Sequence, residues 1–187
     1  MEKEIVCGID EAGRGALAGP LAVAGVILQK PIEGLDDSKK LTPQKREKLY
    51  DMIIKNAKYE IVFTDNLTLD EIGLSLAIKN SILIIQKKLN AKTYIMDGNT
   101  NFGIENIKAI VKADSSVYQV SAASILAKVS RDRYMIEMDK EYPKYSFGRH
   151  KGYGTKVHVE KIKKYGLSPL HRKSFKVKSL RQPSLFD

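Results

Sequence analysis

The sequence predicts an α/β fold with a mixed β-sheet, and three observations support this prediction. Short apolar segments alternate with longer amphipathic ones in the order strand, strand, helix, strand, helix, strand, strand, helix. The length of 187 residues corresponds to one domain, and 43% hydrophobic residues are enough to build its core. The alternation contains no internal repeat and no low-complexity segment. We therefore expect a single sheet flanked by helices.

The strands are predicted from short apolar and β-branched segments. A glycine-rich connection separates the first two, and the fourth and fifth lie between two predicted helices. The predicted strands are residues 4–9, 21–29, 59–64, 92–96 and 106–112.

Amphipathic spacing predicts a first helix over residues 43–58 and a second over residues 68–89. Thr42 can cap the first helix, and Pro43 suits its first turn. The second helix is predicted to continue through Gly73, although glycine is unfavourable in a helix interior. The side chains of the second helix predicted to face the core are Leu69, Ile72, Leu76, Leu83 and Ile84.

A third helix is predicted over residues 121–140, and its small side chains permit close packing on a sheet. These small residues are Ala122, Ala123, Ser124 and Ala127. The composition then changes to glycine, aromatic and basic residues, followed by a short helix at residues 156–165. We therefore divide the chain into a core domain, residues 1–138, and a basic C-terminal segment, residues 139–187, that packs beside it.

Positive charge is concentrated in the C-terminal segment. Of the net charge of +10, residues 139–187 contribute +9, with 13 Lys and Arg against 4 Asp and Glu. Such a segment is typical of proteins that bind a polyanion, including nucleic acids. The alternative is a lysine-rich solvated surface.

Several classes of protein are excluded. The single cysteine, Cys7, rules out an intrachain disulfide framework, and the N-terminus lacks a secretory signal. No apolar run approaches the ~20 residues needed to span a bilayer. The phosphate-binding patterns GxxxxGK[ST] and GxGxxG after a strand are also missing. We expect a cytoplasmic monomer that does not bind membranes.

Four carboxylates follow predicted strands, where sheet enzymes place their sites. Asp10 and Glu11 follow the first strand, Asp97 the fourth and Asp114 the fifth. Each one alone has a structural explanation as a turn, helix cap or solvated loop residue. Gathered in one cleft, they would repel one another unless cations intervened. Oxygen ligands select hard ions, so we expect Mg²⁺ or Mn²⁺.

Two such ions would stabilise both the attacking and the leaving oxygen of a phosphodiester hydrolysis. The adjacent Gly13-Arg14-Gly15 loop supports this hypothesis. Its glycines let the backbone approach a ligand closely, and its arginine can reach a phosphate. An ordinary tight turn with an exposed arginine is the alternative interpretation.

The motifs, taken together, closely resemble those of bacterial ribonuclease HII in order and spacing, from about residue 5 to residue 175. They are DEAGRG at 10–15, DSKKL at 37–41, MDG at 96–98, Asp114, SAASILAKV at 121–129 with Arg131-Asp132, and HKGY at 150–153.

The resemblance implies a ribonuclease H-like fold, a five-stranded mixed sheet with a C-terminal helical region. It implies cleavage of RNA in RNA–DNA hybrids and of duplex DNA on the 5′ side of a single ribonucleotide, leaving 3′-hydroxyl and 5′-phosphate ends. Such cleavage serves ribonucleotide removal in DNA repair and replication. The implied catalytic metal ligands are Asp10, Glu11, Asp97 and Asp114.

The resemblance also assigns the recognition of substrate. It implies that the ribose 2′-hydroxyl is sensed by Gly13, Arg14, Gly15 and Tyr153. Asp132 is instead expected to pair with a basic neighbour. The candidates for phosphate contacts are Lys39, Lys40, Lys128, Arg149, Lys151 and Lys156.

The end of the chain, QPSLFD, is similar to the short peptides that dock on bacterial sliding clamps, with Gln182, Leu185 and Phe186 as anchors. The alternative is a frayed end or one that packs against the protein itself. Two other functions stay open for the whole chain. One is a different nuclease or strand transferase of the same fold, which would not depend on a 2′-hydroxyl. The other is a non-catalytic nucleic-acid-binding module.

Overall fold

A computed structural model describes residues 5–36 and 38–175, and its centre is a five-stranded sheet with the order β3-β2-β1-β4-β5. β1 pairs antiparallel with β2, as β2 does with β3, whereas β1, β4 and β5 are parallel. The mixed sheet predicted from the sequence is therefore confirmed. The strands are β1 (Val6–Ala12), β2 (Leu21–Leu28), β3 (Ala57–Thr64), β4 (Thr93–Asp97) and β5 (Ile107–Ile110).

Helices cover both faces of the sheet. They are α1 (Pro43–Asn56), α2 (Asn66–Ile72), α3 (Leu74–Leu89), α4 (Tyr118–Glu141), α5 (Phe147–His150) and α6 (Lys156–Tyr165). Thr42 caps α1 as predicted, because its hydroxyl accepts a hydrogen bond from the Lys45 amide at 3.3 Å. α1 ends two residues earlier than predicted, since Ala57 and Lys58 pair with β2 instead.

The prediction of one continuous second helix was wrong, because Gly73 separates α2 from α3. Its φ of +77° lies in the left-handed region, and its amide donates to the Leu69 carbonyl to end α2. The break changes which face of α3 meets the sheet. Three of the residues predicted to face the core are exposed: Leu76, Leu83 and Ile84. The buried face consists of Ala77, Ile78, Ser81, Ile82 and Ile85.

Two clusters of apolar side chains form the core, one on each face of the sheet. α3 packs on one face against residues that include Cys7 and Ile9 of β1. α1 and α4 pack on the other face. α4 lies so close to β1 that a Cβ on Gly8 would be 2.2 Å from the Gln119 carbonyl carbon. The small residues predicted in this helix therefore do permit close packing.

The described part of the C-terminal segment, which ends at residue 175, packs against the second half of α4. The cluster that joins them consists of Ala18, Met135, Tyr145, Phe147 and Leu170. Within the residues that the structure describes, no helix is long and apolar enough to cross a membrane.

Candidate active site

Asp10 and Glu11 lie within β1, not after it as the sequence suggested. β1 extends to Ala12 because Asp10 pairs with Ala24 and Glu11 with Val23 of β2. Successive strand residues point to opposite faces, so the two carboxylates leave β1 in different directions. The Asp10 side chain faces α4, and the nearby Ser124 hydroxyl, which also lies 2.7 Å from the Ser38 hydroxyl, favours its ionised form.

Asp97 is the last residue of β4, and the parallel register aligns it with Asp10. Ile9 pairs with Met96, so the next residue of each strand is a carboxylate on the same face. One Asp97 oxygen, Oδ1, accepts a hydrogen bond from the Ala113 amide at 2.9 Å. Asp114 follows in a single 3₁₀ turn and is buried. Asp97 therefore fixes the turn that carries the fourth carboxylate.

The carboxylates influence one another electrostatically. Burial, followed by the charges of Glu11 and Asp97, raises the pKa of Asp10 to about 8. Hydrogen bonds from the Glu11 amide and the Ser124 hydroxyl act in the opposite direction. Burial also raises the pKa of Glu11, while Arg14 and Lys39 favour its ionised form. A cation near these groups would favour ionisation of both.

The donor set fits a hard metal ion. Oε2 of Glu11 is buried without a hydrogen-bond partner, whereas Oε1 accepts from Arg14 at 3.2 Å. In the described part of the chain, no three His, Cys, Asp or Glu side chains are grouped closely enough to hold one ion. Mg²⁺ commonly binds through one or two carboxylates and completes its shell with water and substrate phosphates. The arrangement is compatible with that mode of binding.

Two of the predicted phosphate contacts lie beside the carboxylates. Nζ of Lys39 is 3.9 Å from Oδ2 of Asp114. Nζ of Lys40 is 3.3 Å from Asp36 and 3.2 Å from the Ser115 hydroxyl. Both lysines are exposed, so they are accessible to a nucleic-acid backbone.

The other predicted phosphate contacts differ in how they are held. Lys128 binds both oxygens of Asp132, at 2.6 and 2.7 Å, so Asp132 does pair with a basic neighbour. The ammonium of Lys151 donates to the Gly148 carbonyl. Arg149 and Lys156 are exposed and line a cavity of about 310 Å³ at the start of α6.

The Gly-Arg-Gly loop lies against Tyr153. The Gly13 amide donates to the Tyr153 hydroxyl at 3.2 Å, and Ala16 forms a β-bridge with Tyr153. The φ of Gly13 is +92°, which favours glycine, whereas a Cβ on Gly15 would meet no atom within 4 Å. The Arg14 guanidinium forms an ion pair with Glu11, in which Nη1 lies 3.2 Å from Oε1. The structure therefore joins residues that are 140 positions apart.

Three histidines and two arginines near Tyr153 received no role from the sequence, although Arg131 and His150 belong to the motifs quoted above. His150 and His158 stack with ring centroids 4.1 Å apart, and Nε2 of His158 is 3.1 Å from Nε2 of His171. The carbonyl of Tyr153 is 3.0 Å from Nδ1 of His158. An arginine at helical spacing from the apolar residues Ala127 and Met135 was the available signal for Arg131. The remaining arginine, Arg172, lies in a loop without such a pattern.

The clamp-binding prediction at Gln182, Leu185 and Phe186 lies outside the described residues.

Comparison with known proteins gives consistent matches along the chain. The family model described as Ribonuclease HII matches residues 7–178. A ribonuclease HII of Sulfurovum sp. (strain NBC37-1) is 52% identical over 99% of this chain and 98% of its own. A ribonuclease HII of Aliarcobacter butzleri (strain RM4018) is 58% identical over 94% of this chain and 92% of its own.

Solved structures have the same architecture. The RNase HII in the PCNA:RNase HII complex from Archaeoglobus fulgidus has a TM-score of 0.81 and 28% identity, covering 97% of this chain and 98% of that one. The ribonuclease H2 from Pyrococcus horikoshii OT3 has a TM-score of 0.73 and 30% identity, covering 90% and 92%. Bst-RNase HIII in complex with Mn²⁺, at 18% identity, covers 87% of this chain and 63% of that one; with a TM-score of 0.67 it is similar in fold.

Proposed function

The chain belongs to the ribonuclease HII family, and we propose that it cuts duplex DNA on the 5′ side of an embedded ribonucleotide. It is a metal-dependent endoribonuclease that acts on RNA–DNA hybrids. In this proposal, four carboxylates carry out the reaction, and residues of the Gly-Arg-Gly loop together with Tyr153 recognise the ribose 2′-hydroxyl. It also gives the enzyme a role in removing ribonucleotides from DNA.

One observation carries the proposal. Gly13, two residues after Glu11 in the chain, donates a hydrogen bond from its amide to the Tyr153 hydroxyl. A ribose 2′-hydroxyl is both a donor and an acceptor, and it distinguishes RNA from DNA at one position. The Gly13 amide is a donor, and the Tyr153 hydroxyl can donate or accept. In this structure the Gly13 amide donates to the Tyr153 hydroxyl, whose own proton is left for another acceptor. With substrate bound, the 2′-hydroxyl can take the place of that bond.

We propose that Asp10, Glu11, Asp97 and Asp114 share the binding of two metal ions, Mg²⁺ or Mn²⁺, whose remaining ligands would be water and substrate phosphates. When bound, the ions would supply an activated water and stabilise charge on the phosphodiester. The protein holds Asp10 in place through Ser124 and orients Asp97 through the Ala113 amide.

The products follow from the direction of attack. Water adds to the phosphorus on the 5′ side of the ribonucleotide, and the bond to the preceding 3′-oxygen breaks. The preceding nucleotide therefore keeps a 3′-hydroxyl, and the ribonucleotide carries a 5′-phosphate. Exposed Lys39 and Lys40 are placed to contact phosphates that flank the cut, which orients the duplex without reading its sequence.

The test is cleavage of a labelled DNA duplex with one ribonucleotide, beside an all-DNA duplex, in Mg²⁺, Mn²⁺ and EDTA. We expect one metal-dependent cut, 5′ of the ribonucleotide. Asp10→Asn should abolish the cut and preserve duplex binding, and the matched control Asp51→Asn, on the exposed side of α1, should cut normally. Equal cutting of the all-DNA duplex would favour a nuclease or strand transferase that does not depend on a 2′-hydroxyl. Binding without any turnover would favour a non-catalytic nucleic-acid-binding module.

We also propose that Gln182, Leu185 and Phe186 bind a sliding clamp. Support comes from the sequence of this peptide and from the Archaeoglobus relative, whose structure is a complex with PCNA. Replacing Leu185 and Phe186 by alanine should abolish binding to the bacterial clamp in a calorimetric titration. The rate of cleavage of a short duplex without the clamp should stay the same.

A further inference from the structure

Arg131 is a fully buried arginine on α4 that donates to three backbone carbonyls. Nε bonds to Pro20 at 2.8 Å, Nη1 to Lys151 at 2.9 Å and Nη2 to Ala18 at 3.1 Å. Two of these carbonyls belong to the connection after β1 and the third to the segment just before Tyr153. One guanidinium therefore ties two segments that are more than 130 residues apart.

The same guanidinium contacts both partners of the hydrogen bond that carries the proposed function. Its Cζ lies 5.1 Å from the centroid of the Tyr153 ring. A Cβ on Gly13 would lie 2.1 Å from its Nε, so the Gly13 backbone runs directly against it. A planar fork with five donors can satisfy divergent carbonyls and stack on a ring at once, whereas a lysine ammonium cannot.

We infer that Arg131 is a positioning residue for ribose recognition, which holds the Tyr153 ring beside the Gly13 amide, where a 2′-hydroxyl can reach both groups. This inference rests on the proposed function of Tyr153. Arg131 is buried, so it acts through Tyr153 and not by contact with substrate. Burial also lowers the pKa of Arg131, as expected for a cation taken out of water.

A general role in folding makes a different prediction from a positioning role. If Arg131 only stabilised the fold, its replacement would reduce the active fraction of enzyme, whichever residue stood at position 153. A residue that acts through the Tyr153 ring loses its effect once the ring is removed. A double-mutant cycle measures this difference.

The experiment compares Arg131→Lys, Tyr153→Ala and the double variant on the duplex with one ribonucleotide. We expect Arg131→Lys to lower kcat by about tenfold or more with little change in KM, because small misplacement of a positioning group costs rate. In the Tyr153→Ala background, the further effect of Arg131→Lys should be less than about twofold. Arg133→Lys is the control, since Arg133 also lies on α4 over a tyrosine ring, that of Tyr50, but far from the loop.

Thermal unfolding of each variant is recorded beside the kinetics, and Arg131→Gln serves as a second variant. An equally large effect of Arg131→Lys with and without the Tyr153 ring overturns the inference and leaves the proposed function intact. If Tyr153→Ala cuts at the normal rate, the proposed role of Tyr153 fails, and the inference fails with it. Loss of cooperative unfolding in both Arg131 variants would assign this residue to the fold as a whole and overturn its positioning role.

Discussion

At the scale of single residues, Asp10 determines how the site responds to pH. Its pKa of about 8 in the metal-free protein follows first from burial and then from the neighbouring carboxylates. Below this pH the side chain is protonated and must lose its proton before it can bind a cation. Burial also raises the pKa of Glu11, although the charge of Arg14 opposes the change.

We therefore predict that metal binding releases protons and tightens as the pH rises toward 8. The apparent affinity for Mg²⁺ should increase by up to about tenfold per pH unit below 8 and level off above it. Calorimetric titrations in buffers of different ionisation enthalpy measure the protons released. The Asp10→Asn variant should release fewer protons, and equal release by both proteins would contradict the assignment of Asp10.

At the scale of the elements, the contact between β1 and α4 places Asp10 opposite Ser124. This contact is close because Gly8 has no side chain and because α4 presents alanine and serine to the sheet. A shift of α4 away from β1 would therefore move the hydroxyl that orients Asp10. Stability and catalysis depend here on the same packing.

We predict that Gly8→Ala destabilises the protein by about 1–3 kcal/mol, the range typical of an overpacked core, and also lowers kcat. Urea unfolding gives the first quantity and duplex cleavage the second. Gly73→Ala is a suitable control, because Gly73 has a positive φ but an added Cβ would meet no atom within 4 Å. It should lose about 1–3 kcal/mol through backbone strain, because its φ of 77° and ψ of 161° are adopted almost only by glycine, and keep its cleavage rate. A normal cleavage rate in a destabilised Gly8→Ala variant would show that α4 does not orient the site.

Most elements were predictable from local signals, whereas their breaks and orientations were not. Thr42 and Pro43 mark the start of α1 because capping and proline chemistry act within one turn. The end of β1 was misplaced because strand pairing with β2 extends it through polar residues. The continuous helix across Gly73 was wrong because spacing alone does not show a positive φ. Arg131 could not be assigned, since its partners come from two distant segments.

At the scale of the whole molecule, the buried histidines join α5, α6 and the chain before residue 172. Burial lowers the pKa of His158 and of His171 from 6.5 to about 4, and it also lowers that of His150. The folded protein keeps these rings neutral, while the unfolded chain binds protons near pH 6.5. Their contribution to stability is therefore complete above about pH 6.5 and is lost as the pH falls toward 4.

We predict that His158 and His171 each remove on the order of 2 kcal/mol from the free energy of unfolding between pH 7 and pH 5, while proton uptake by the buried Asp10 offsets part of this loss. Urea unfolding at a series of pH values measures it, and His158→Gln should show a smaller slope over the same range. A slope unchanged in that variant would attribute the acid sensitivity to other groups.

The bridges from Ala16 to Tyr153 and from Ala18 to His171 also have a consequence for folding during synthesis. All four carboxylate residues have been synthesised once the chain reaches residue 114. Tyr153 and His171, which pair with the loop after β1, are added about 40 to 60 residues later. Contacts of such high sequence separation form slowly and late. A nascent chain can thus contain all four proposed catalytic carboxylates before it contains the residues proposed to recognise the ribose, so selectivity would be the last property that the growing polypeptide gains.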